Sequence, residues 1–222
     1  MANFNYEDTG LIDYQKCWDY QERLLGQVQA DKNARKGSTP ENHFLLVEHP
    51  HVYTLGKSGD QHNLLVQEDF LKKINATFCK IDRGGDITYH GPGQLVGYPI
   101  MDLEYHHIGI RQYIEKMEDA IMATVAHYGI IGSRKEGATG VWLDSTIPAK
   151  SRKICAIGVR VSRFVTMHGF ALNVNTNLRY FDYINPCGFA TYGVTSIERE
   201  LGRKIDMQEV KDLVKEKFNE IY

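Results

Sequence analysis

The sequence lacks any apolar run near the length of a membrane span, and neither sign of charge dominates it. Crossing a bilayer takes about 18 or more consecutive apolar residues, so we expect no membrane partner. Its 26 basic residues nearly balance 28 acidic ones, for a formal net charge of -2. This balance gives no electrostatic argument for a nucleic-acid partner. The amino-terminal residues MANFNYEDTG resemble neither a secretory signal nor a transit peptide, which predicts a cytoplasmic location.

Cysteine is scarce and widely spaced, at positions 17, 79, 155 and 187 of the 222-residue chain. No pair has the CxxC spacing of a zinc or redox motif, and the histidines form no HExxH motif. We therefore expect reduced thiols and no bound metal. Linkers rich in proline, glycine or serine, and internal repeats, are also missing, so we expect one domain over residues 1–222.

Apolar spacing predicts helices towards both ends of the chain and in its middle, with strands clustered between them. The predicted helices are one capped by Asp13, a short one at 66–74, the clearest one at 110–129, and one at 207–222. The predicted strands are 43–49, 52–56, 76–82, 95–103, 139–144, 153–161 and 164–175, and a polar surface loop is predicted at 32–42. The order of elements predicts an α/β or α+β fold with a mixed central sheet flanked by helices.

The segment RGGDITYHGPGQ, residues 83–94, holds four glycines between two predicted strands. A hairpin needs only about two to five loop residues, so this connection is longer than a turn requires. Glycines let a ligand approach the backbone, and Arg83 and His90 add hydrogen-bond donors. The pattern is neither GxGxxG nor a P-loop. We predict a ligand site here; the alternative is a long hairpin loop with incidental polar residues.

Two cysteines are candidate nucleophiles. Cys187 lies between proline and glycine in a non-periodic stretch, which favours a position near the surface or in a cleft. Cys155 is its rival, since in a strand Lys153 and Cys155 point the same way, roughly 7 Å apart. A lysine beside a thiol lowers the pKa of that thiol and can exchange protons with a leaving group. The alternative for Lys153 is a solvated residue at a strand end, whereas Cys17 and Cys79 are predicted core residues.

Four blocks of sequence carry a resemblance to a known family. They are EHPHVYTLG at 48–56, RGGDITYHGPGQLVGYP at 83–99, KICAIGVRV at 153–161, and HGFALNVN at 168–175 followed by NPCG at 185–188. Over roughly residues 43–200 the chain resembles the lipoyl(octanoyl) transferases. These enzymes move octanoyl from acyl carrier protein onto a lysine of a lipoyl domain, and they share an α/β fold with biotin and lipoate ligases.

The resemblance implies roles for particular residues. Cys187 corresponds to the nucleophile that forms an acyl thioester, and Lys153 to its general base, which leaves Cys155 as a packing residue. The implied walls of the acyl pocket are Arg83, Gly84, Gly85, Asp86, Ile87, Thr88, Tyr89, His90, Ala156, Ile157, Gly158, Gly169, Phe170 and Ala171. The implied donor is octanoyl-acyl carrier protein. The implied acceptors are lipoyl domains of 2-oxoacid dehydrogenase E2 subunits and the glycine cleavage H protein. Because a thioester donor is already activated, neither ATP nor another cofactor is expected.

The sequence leaves open which residues dock the partner proteins and also three competing functions. Arg152, Arg160 and Arg163 are candidate docking residues for acidic carrier domains, or else ordinary charges at a strand edge. An ATP-dependent lipoate or biotin ligase would have the same fold, but HGPGQ differs from the HDxGN-like form of lipoate ligases. An amidotransferase acting between lipoyl domains would share the cysteine chemistry. A binding module that sequesters acyl groups would bind without turnover.

Overall fold

The computed structural model describes residues 3–34, 39–185 and 192–222. The described strands are β1 (Phe4–Leu11), β2 (Asn42–Glu48), β3 (Val52–Leu55), β4 (Thr77–Lys80), β5 (Ile87–His90), β6 (Gln94–Ile100), β7 (Gly140–Leu143), β8 (Arg152–Ser162), β9 (Val165–Asn173) and β10 (Gly193–Val194). The described α-helices are α1 (Tyr14–Ala34), α2 (Glu68–Lys73), α3 (Ile110–Ala126), α4 (Ile197–Leu201) and α5 (Met207–Ile221), with 3-10 turns at Gln61–Asn63 and Leu178–Tyr183. No helix in these ranges combines the length and apolarity needed to cross a membrane.

A seven-stranded sheet forms the centre of the fold, in the order β1-β2-β6-β9-β8-β10 with β7 also paired to β8. The pairs β1–β2 and β8–β10 are parallel, whereas β2–β6, β6–β9, β8–β9 and β7–β8 are antiparallel. The predicted fold class, a mixed α/β sheet with flanking helices, is therefore confirmed.

Helices cover both faces of this sheet, as the alternation along β2 illustrates. Phe44 and Leu46 lie in a core cluster with residues of α3 and α5, whereas Leu45 and Val47 lie in a second cluster with residues of α1. Successive side chains of a strand point to opposite faces, so one apolar strand supplies both clusters. Strands β8 and β9, which carry seven of the sixteen predicted site residues, lie inside this sandwich.

A smaller sheet of β4-β3-β5 corrects the prediction for the glycine-rich segment 83–94. This segment is not one loop, because β5 lies within it and pairs antiparallel with β3. The predicted strands at 76–82 and 95–103 do not form a hairpin either, since β4 pairs parallel with β3 and β6 belongs to the large sheet. A four-residue strand between glycines gives too short a pattern to be recognised by alternation.

Local sequence signals predict the start of α1 but miss strand β1. The carboxylate of Asp13 accepts a hydrogen bond from the backbone N–H of Lys16 at 3.1 Å, so the predicted cap of α1 is confirmed. The helix then runs to Ala34, into the predicted surface loop. Strand β1 was not predicted, because most of its side chains are at least partly exposed and only Phe4 is buried. Its place in the sheet comes from parallel pairing with β2.

Candidate active site

A cleft of about 370 Å³, hereafter the outer cleft, lies where several predicted site residues meet. Its walls include residues 83–88, 137–139, 156–159 and 192–194, together with Lys153. These segments come from the glycine-rich segment, the connection before β7, the middle of β8, and the start of β10. The structure thus brings Lys153 together with residues that the sequence places far from it.

The amine of Lys153 has defined contacts in the outer cleft. Its Nζ donates a hydrogen bond to the carbonyl oxygen of Thr139 at 3.1 Å and lies 4.7 Å from the centroid of the Trp142 ring. The backbone of Lys153 is fixed as well, since its carbonyl accepts a hydrogen bond from Thr195 N–H at 2.9 Å. A carbonyl oxygen and the face of an indole both suit an ammonium group.

The connection that carries Thr139 is anchored by Glu118 on α3. The Glu118 carboxylate is buried; its Oε1 accepts from the backbone N–H of Gly140 at 2.9 Å and its Oε2 from Nε of Arg134 at 2.8 Å. Gly140 has a φ of +124°, which favours glycine. Glu118 therefore sets the position of the carbonyl that receives the Lys153 amine.

Aromatic rings form the side of the outer cleft next to Lys153. The rings of Trp142 and Tyr192 meet edge to face, with centroids 5.7 Å apart, and the Nζ of Lys135 lies 4.2 Å from the Tyr192 centroid. Tyr192 is the first described residue after the gap at 186–191. Cys187 lies in that gap, outside the described residues, so its meeting with Lys153 stays a prediction.

Cys155 is a packing residue, as predicted. Its side chain is fully buried in the core and does not line the outer cleft. Burial raises the pKa of its thiol, and the nearby charge of Lys153 offsets only part of this rise. The expectation that Cys155 and Lys153 share one side of the strand is wrong, because the pairing of β7 with β8 shifts there and leaves Ile154 as an extra residue.

The two cysteines predicted for the core, and the two tryptophans, differ in burial. Cys17 is buried against the large sheet, Cys79 is half-buried, Trp18 is half-buried, and Trp142 is buried while also lining the outer cleft. Within the described ranges, no group of three or more histidines, cysteines or acidic residues could hold a metal ion.

The side chain of Arg83 turns back onto the backbone of its own glycine-rich segment. Its Nη1 donates to the carbonyl of Gly84 at 2.6 Å and its Nη2 to the carbonyl of Asp86 at 2.7 Å. Gly158 allows this arrangement, because a Cβ there would lie 2.7 Å from Nη1 and 2.8 Å from Cδ of Arg83. The glycine in β8 and the arginine across from it thus form one wall of the outer cleft.

A second cavity of about 40 Å³, hereafter the inner chamber, shares part of that wall. Arg83, Thr88, Ala171 and residues 156–158 line both cavities. The inner chamber adds side chains from α1, β5, β6 and β9, namely Tyr14, His90, Val96, Tyr98, His168, Gly169 and Phe170. The structure therefore places Gly84, Gly85, Asp86 and Ile87 at the outer cleft only, and His90, Gly169 and Phe170 at the inner chamber only.

Tyr89, which the family resemblance places in the acyl wall, lines neither cavity. Its ring is buried in the core of the small sheet with Tyr53, and its hydroxyl hydrogen-bonds Nδ1 of His51 at 2.7 Å. Alternation along β5 accounts for this placement, since Thr88 and His90 on either side line the inner chamber. Tyr89 therefore supports the small sheet beneath the site.

Two buried histidines bring polar atoms to the inner chamber. His90 Nδ1 lies 2.8 Å from Oε1 of Gln94, and burial holds the pKa of His90 well below its usual value. His168 Nε2 lies 3.0 Å from Oδ1 of Asp82. Burial also lowers the pKa of His168, although its hydrogen bond to Asp82 opposes that shift. Both imidazoles are therefore neutral near pH 7.

Two of the three predicted docking arginines form ion pairs with acidic residues of the same chain. Arg152 pairs with Glu200 at 2.6 Å and Arg160 pairs with Asp82 at 2.5 Å. Their charges are largely neutralised, which disfavours them as contacts for an acidic partner. Arg163 is exposed in the turn between β8 and β9, and it remains a predicted docking residue.

Several lining residues were not predicted from the sequence. Thr139, Gln94 and Asn173 line the outer cleft, and Gln94 Nε2 donates to Oδ1 of Asn173 at 2.9 Å. Gln94 and Asn173 do lie within the sequence blocks that carry the family resemblance. The available signal was a polar residue at a buried position of an otherwise apolar strand, since such residues need a specific partner.

Comparison with known proteins connects this site to a family. Residues 13–219 match the family described as Lipoyl protein ligase A/B catalytic domain. An octanoyltransferase from Christiangramia forsetii is 54% identical over 220 residues, covering 97% of this chain and 94% of that protein.

Solved structures share the fold at low sequence identity. The bipartite lipoate protein ligase of Thermoplasma acidophilum has a TM-score of 0.64 at 15% identity, covering 98% of this chain and 84% of that chain. The biotin protein ligase of Aquifex aeolicus has a TM-score of 0.55 at 14% identity, covering 99% and 70%. Similarity at this level shows the fold alone, whereas the match over residues 13–219 decides the family. The chain belongs to the lipoyl protein ligase A/B catalytic domain family.

Proposed function

We propose that this chain is an octanoyltransferase that moves an octanoyl group from a thioester donor to a lysine of a lipoyl domain, through a thioester on Cys187. The observation that carries the proposal is the amine of Lys153 in a cleft of about 370 Å³ with mostly apolar walls. The relative from Christiangramia forsetii, 54% identical, is named octanoyltransferase. A cleft of this size suits a medium acyl chain and its reacting carbonyl.

The first half-reaction loads the enzyme. The Cys187 thiolate attacks the carbonyl carbon of the donor, a new carbon–sulfur bond forms, and the bond to the carrier thiol breaks. The contacts of Lys153 with Thr139 and Trp142 suit an ammonium, which gives a proton to the departing thiolate. Exchange between two thioesters is close to thermoneutral and needs no ATP.

The second half-reaction delivers the acyl group. The lysine amine of the acceptor attacks the carbonyl carbon, Lys153 takes the proton that this nitrogen loses, and Cys187 departs as a thiolate. The product is an amide, and the enzyme regains its starting ammonium and thiolate. Lys153 thus serves first as general acid and then as general base.

The walls of the outer cleft suit the acyl chain. Ile87, Ile157 and Val159 line it beside Gly84 and Gly158. Burying the seven methylene-type carbons of an octanoyl chain at about 0.8 kcal/mol each contributes on the order of 5 kcal/mol. This burial favours octanoyl over short acyl groups.

The proposed partners follow from the two ends of the reaction. The donor is octanoyl-acyl carrier protein, and the acceptors are lipoyl domains of 2-oxoacid dehydrogenase E2 subunits and the glycine cleavage H protein, in the cytoplasm. The structure of the Thermoplasma acidophilum ligase was described with its E2 lipoyl domain. For this chain, Arg163 is the proposed docking charge, because it is exposed in the turn between β8 and β9.

Intact-protein mass spectrometry after incubation with octanoyl-acyl carrier protein, without ATP, tests the proposal. We expect an octanoyl adduct that hydroxylamine removes, present on the wild type and on Cys155→Ala but absent from Cys187→Ala. Cys155→Ala is the matched control, because this buried thiol lies in the core on the same strand as Lys153. Addition of a lipoyl domain should then discharge the adduct.

Each other outcome points to a different mechanism. An adduct that is lost only in Cys155→Ala would keep the chemistry and change the nucleophile. Acyl transfer that requires ATP would indicate a ligase instead. Tight acyl binding with neither adduct nor transfer would indicate a binding module.

A further inference from the structure

The inner chamber adjoins the outer cleft on the side away from Lys153. The two cavities share residues 156–158 of β8, whereas Lys153, Trp142 and Thr139 line the outer cleft alone. An acyl chain that starts at the Lys153 amine and follows β8 therefore reaches the shared wall before it reaches the inner chamber.

The length of an octanoyl chain matches this path. Seven carbon–carbon bonds of about 1.5 Å at tetrahedral angles advance roughly 9 Å when fully extended. Three steps along a strand span about 10 Å, which is the separation along β8 from Lys153 to Ile157, because Ile154 is the extra residue of the bulge. The eighth carbon thus reaches the boundary between the cavities, and a longer chain must enter the inner chamber.

His168 lines that chamber and carries a buried polar atom without a hydrogen-bond partner among the described residues. Asp82 is ionised beside Arg160 and accepts hydrogen bonds only, so the proton of the neutral His168 ring lies on Nε2, 3.0 Å from Asp82 Oδ1. Nδ1 then carries a lone pair. This atom is buried and has no hydrogen-bond partner among the described residues, and the whole side chain is 1% exposed.

The backbone at His168 also departs from the rest of its strand. Its φ is +60° in the interior of β9, a left-handed conformation that is uncommon for a residue other than glycine. Conformations of this kind persist where surrounding structure holds them, and they cluster at functional sites. Two contacts hold this one, since the backbone N–H of His168 donates to Oε1 of Gln21 at 3.0 Å and the ring is tied to Asp82.

We propose that His168 is the polar end of the acyl pocket: its Nδ1 binds a water molecule in the inner chamber, and together they limit the acyl chain to about eight carbons. This inference rests on the proposed octanoyl transfer. A volume of about 40 Å³ exceeds the roughly 10–15 Å³ that a cavity needs to hold one water molecule. Tyr14, Tyr98 and His90 also line the chamber and supply further polar groups for it.

The proposed water explains discrimination against longer chains. A methylene chain that enters the chamber displaces the water and offers no donor to Nδ1, which loses the hydrogen bond without replacement. An octanoyl chain stops at the shared wall and leaves the water in place. His168 is therefore a residue that determines specificity rather than a catalytic one.

Chain-length profiles of two variants test the proposal. His168→Gly removes the ring and suits the positive φ, and Met167→Leu is the control, because Met167 is buried in the same strand but lines neither cavity. The readout is the ratio of kcat/KM for dodecanoyl to that for octanoyl. We expect His168→Gly to raise this ratio about tenfold, a change typical of altered methylene contacts, and Met167→Leu to leave it unchanged.

Failure of this inference and failure of the proposed function are distinguishable. An unchanged ratio in a folded His168→Gly protein that still transfers octanoyl would overturn the role of His168 and leave the function standing. No octanoyl transfer by the wild type would overturn both. If His168→Gly does not fold, His168→Asn replaces it, since asparagine also tolerates positive φ. It should raise the ratio in the same direction, and an unchanged ratio there would equally overturn the proposal.

Discussion

The two adjoining cavities differ in how their polar groups are held. In the outer cleft, the Lys153 amine donates a hydrogen bond to a backbone carbonyl and lies over the face of an indole ring. In the inner chamber, His90 and His168 are buried and neutral, tied to Gln94 and Asp82. One cavity therefore offers a group that can gain and lose a proton at the reacting atoms, and the other offers groups fixed in one protonation state.

Burial rather than residue type makes this difference. Histidine is the side chain most often used for proton transfer near neutral pH, yet here burial removes both chamber histidines from that role. The lysine keeps access to substrate because its side chain lines the outer cleft. The arrangement suggests that proton transfer belongs to the outer cleft and recognition of shape to the inner chamber. Four substitutions test this contrast.

Loss of the Lys153 amine should have the largest effect. Removal of a general acid–base group lowers a rate by about 10² to 10⁴-fold, so Lys153→Met should reduce kcat/KM for octanoyl transfer by that factor. Lys135→Met is the matched control, because Lys135 lies over the Trp142 and Tyr192 rings without lining the cleft. Steady-state kinetics should show a change of only about twofold for the control, in line with exposed cation–π pairs. Equal losses in the two variants would mean that the rings, and not the cleft amine, set the rate.

Removal of the Glu118 carboxylate should release the connection that holds Thr139. Glu118→Ala leaves the Gly140 N–H and the Arg134 guanidinium without their buried acceptor, and we expect a loss of about 3 kcal/mol in the free energy of unfolding. Urea denaturation measures this loss. Glu115→Ala is the control on the same helix, since its side chain pairs with the exposed Arg111 and should cost under about 0.5 kcal/mol. Similar losses from both variants would argue against the anchoring role of Glu118.

A side chain at Gly158 should disturb the wall that the two cavities share. In Gly158→Ala the new Cβ would lie 2.7 Å from Arg83 Nη1, and overpacking of this kind costs about 2 kcal/mol. The displaced guanidinium should also lower kcat/KM for octanoyl. Gly26→Ala on α1 is the matched control, because its Cβ would meet nothing within 4 Å, and it should stabilise the helix by up to about 1 kcal/mol. A Gly158→Ala protein as stable as Gly26→Ala would show that Arg83 yields without cost.

The site illustrates which features a sequence can predict. The helices α1, α3 and α5 follow from apolar spacing over many residues, and the mixed sheet follows from the clustering of strands between them. The family resemblance groups Tyr89 with its neighbours in the acyl wall. The alternation along β5 that separates Tyr89 from them becomes visible only once residues 87–90 are known to pair with β3. The contact between Lys153 and Thr139 depends on Glu118, which lies 21 positions before Thr139 in the sequence. No local sequence pattern predicts that Glu118 anchors this connection.

A fourth and smaller effect concerns the neutral histidines around the inner chamber. His49 lies next to it, with Nδ1 donating to the carbonyl of Ile12 and Nε2 accepting from the hydroxyl of Tyr98, both at 2.8 Å. Burial lowers the pKa of His49 to about 4, below the value of about 6.5 in an unfolded chain. The unfolded state therefore binds the proton first as the pH falls. The contribution of neutral His49 to the free energy of unfolding is present above about pH 6.5 and is lost progressively as the pH falls to about 4.

Urea denaturation at pH 7 and pH 5.5 measures that loss. His49 alone should lower the free energy of unfolding by about 1.2 kcal/mol between these two pH values, so His49→Gln should show a drop smaller by that amount. His62→Gln is the control for replacing a histidine at the surface, since the His62 side chain is 95% exposed. His90 and His168, whose pKa values burial also lowers, should add drops of the same sign that persist in both variants. An unaltered drop in His49→Gln would mean that the folded protein accommodates an imidazolium beside Tyr98, and the contrast between a proton-exchanging cleft and a neutral chamber would then fail.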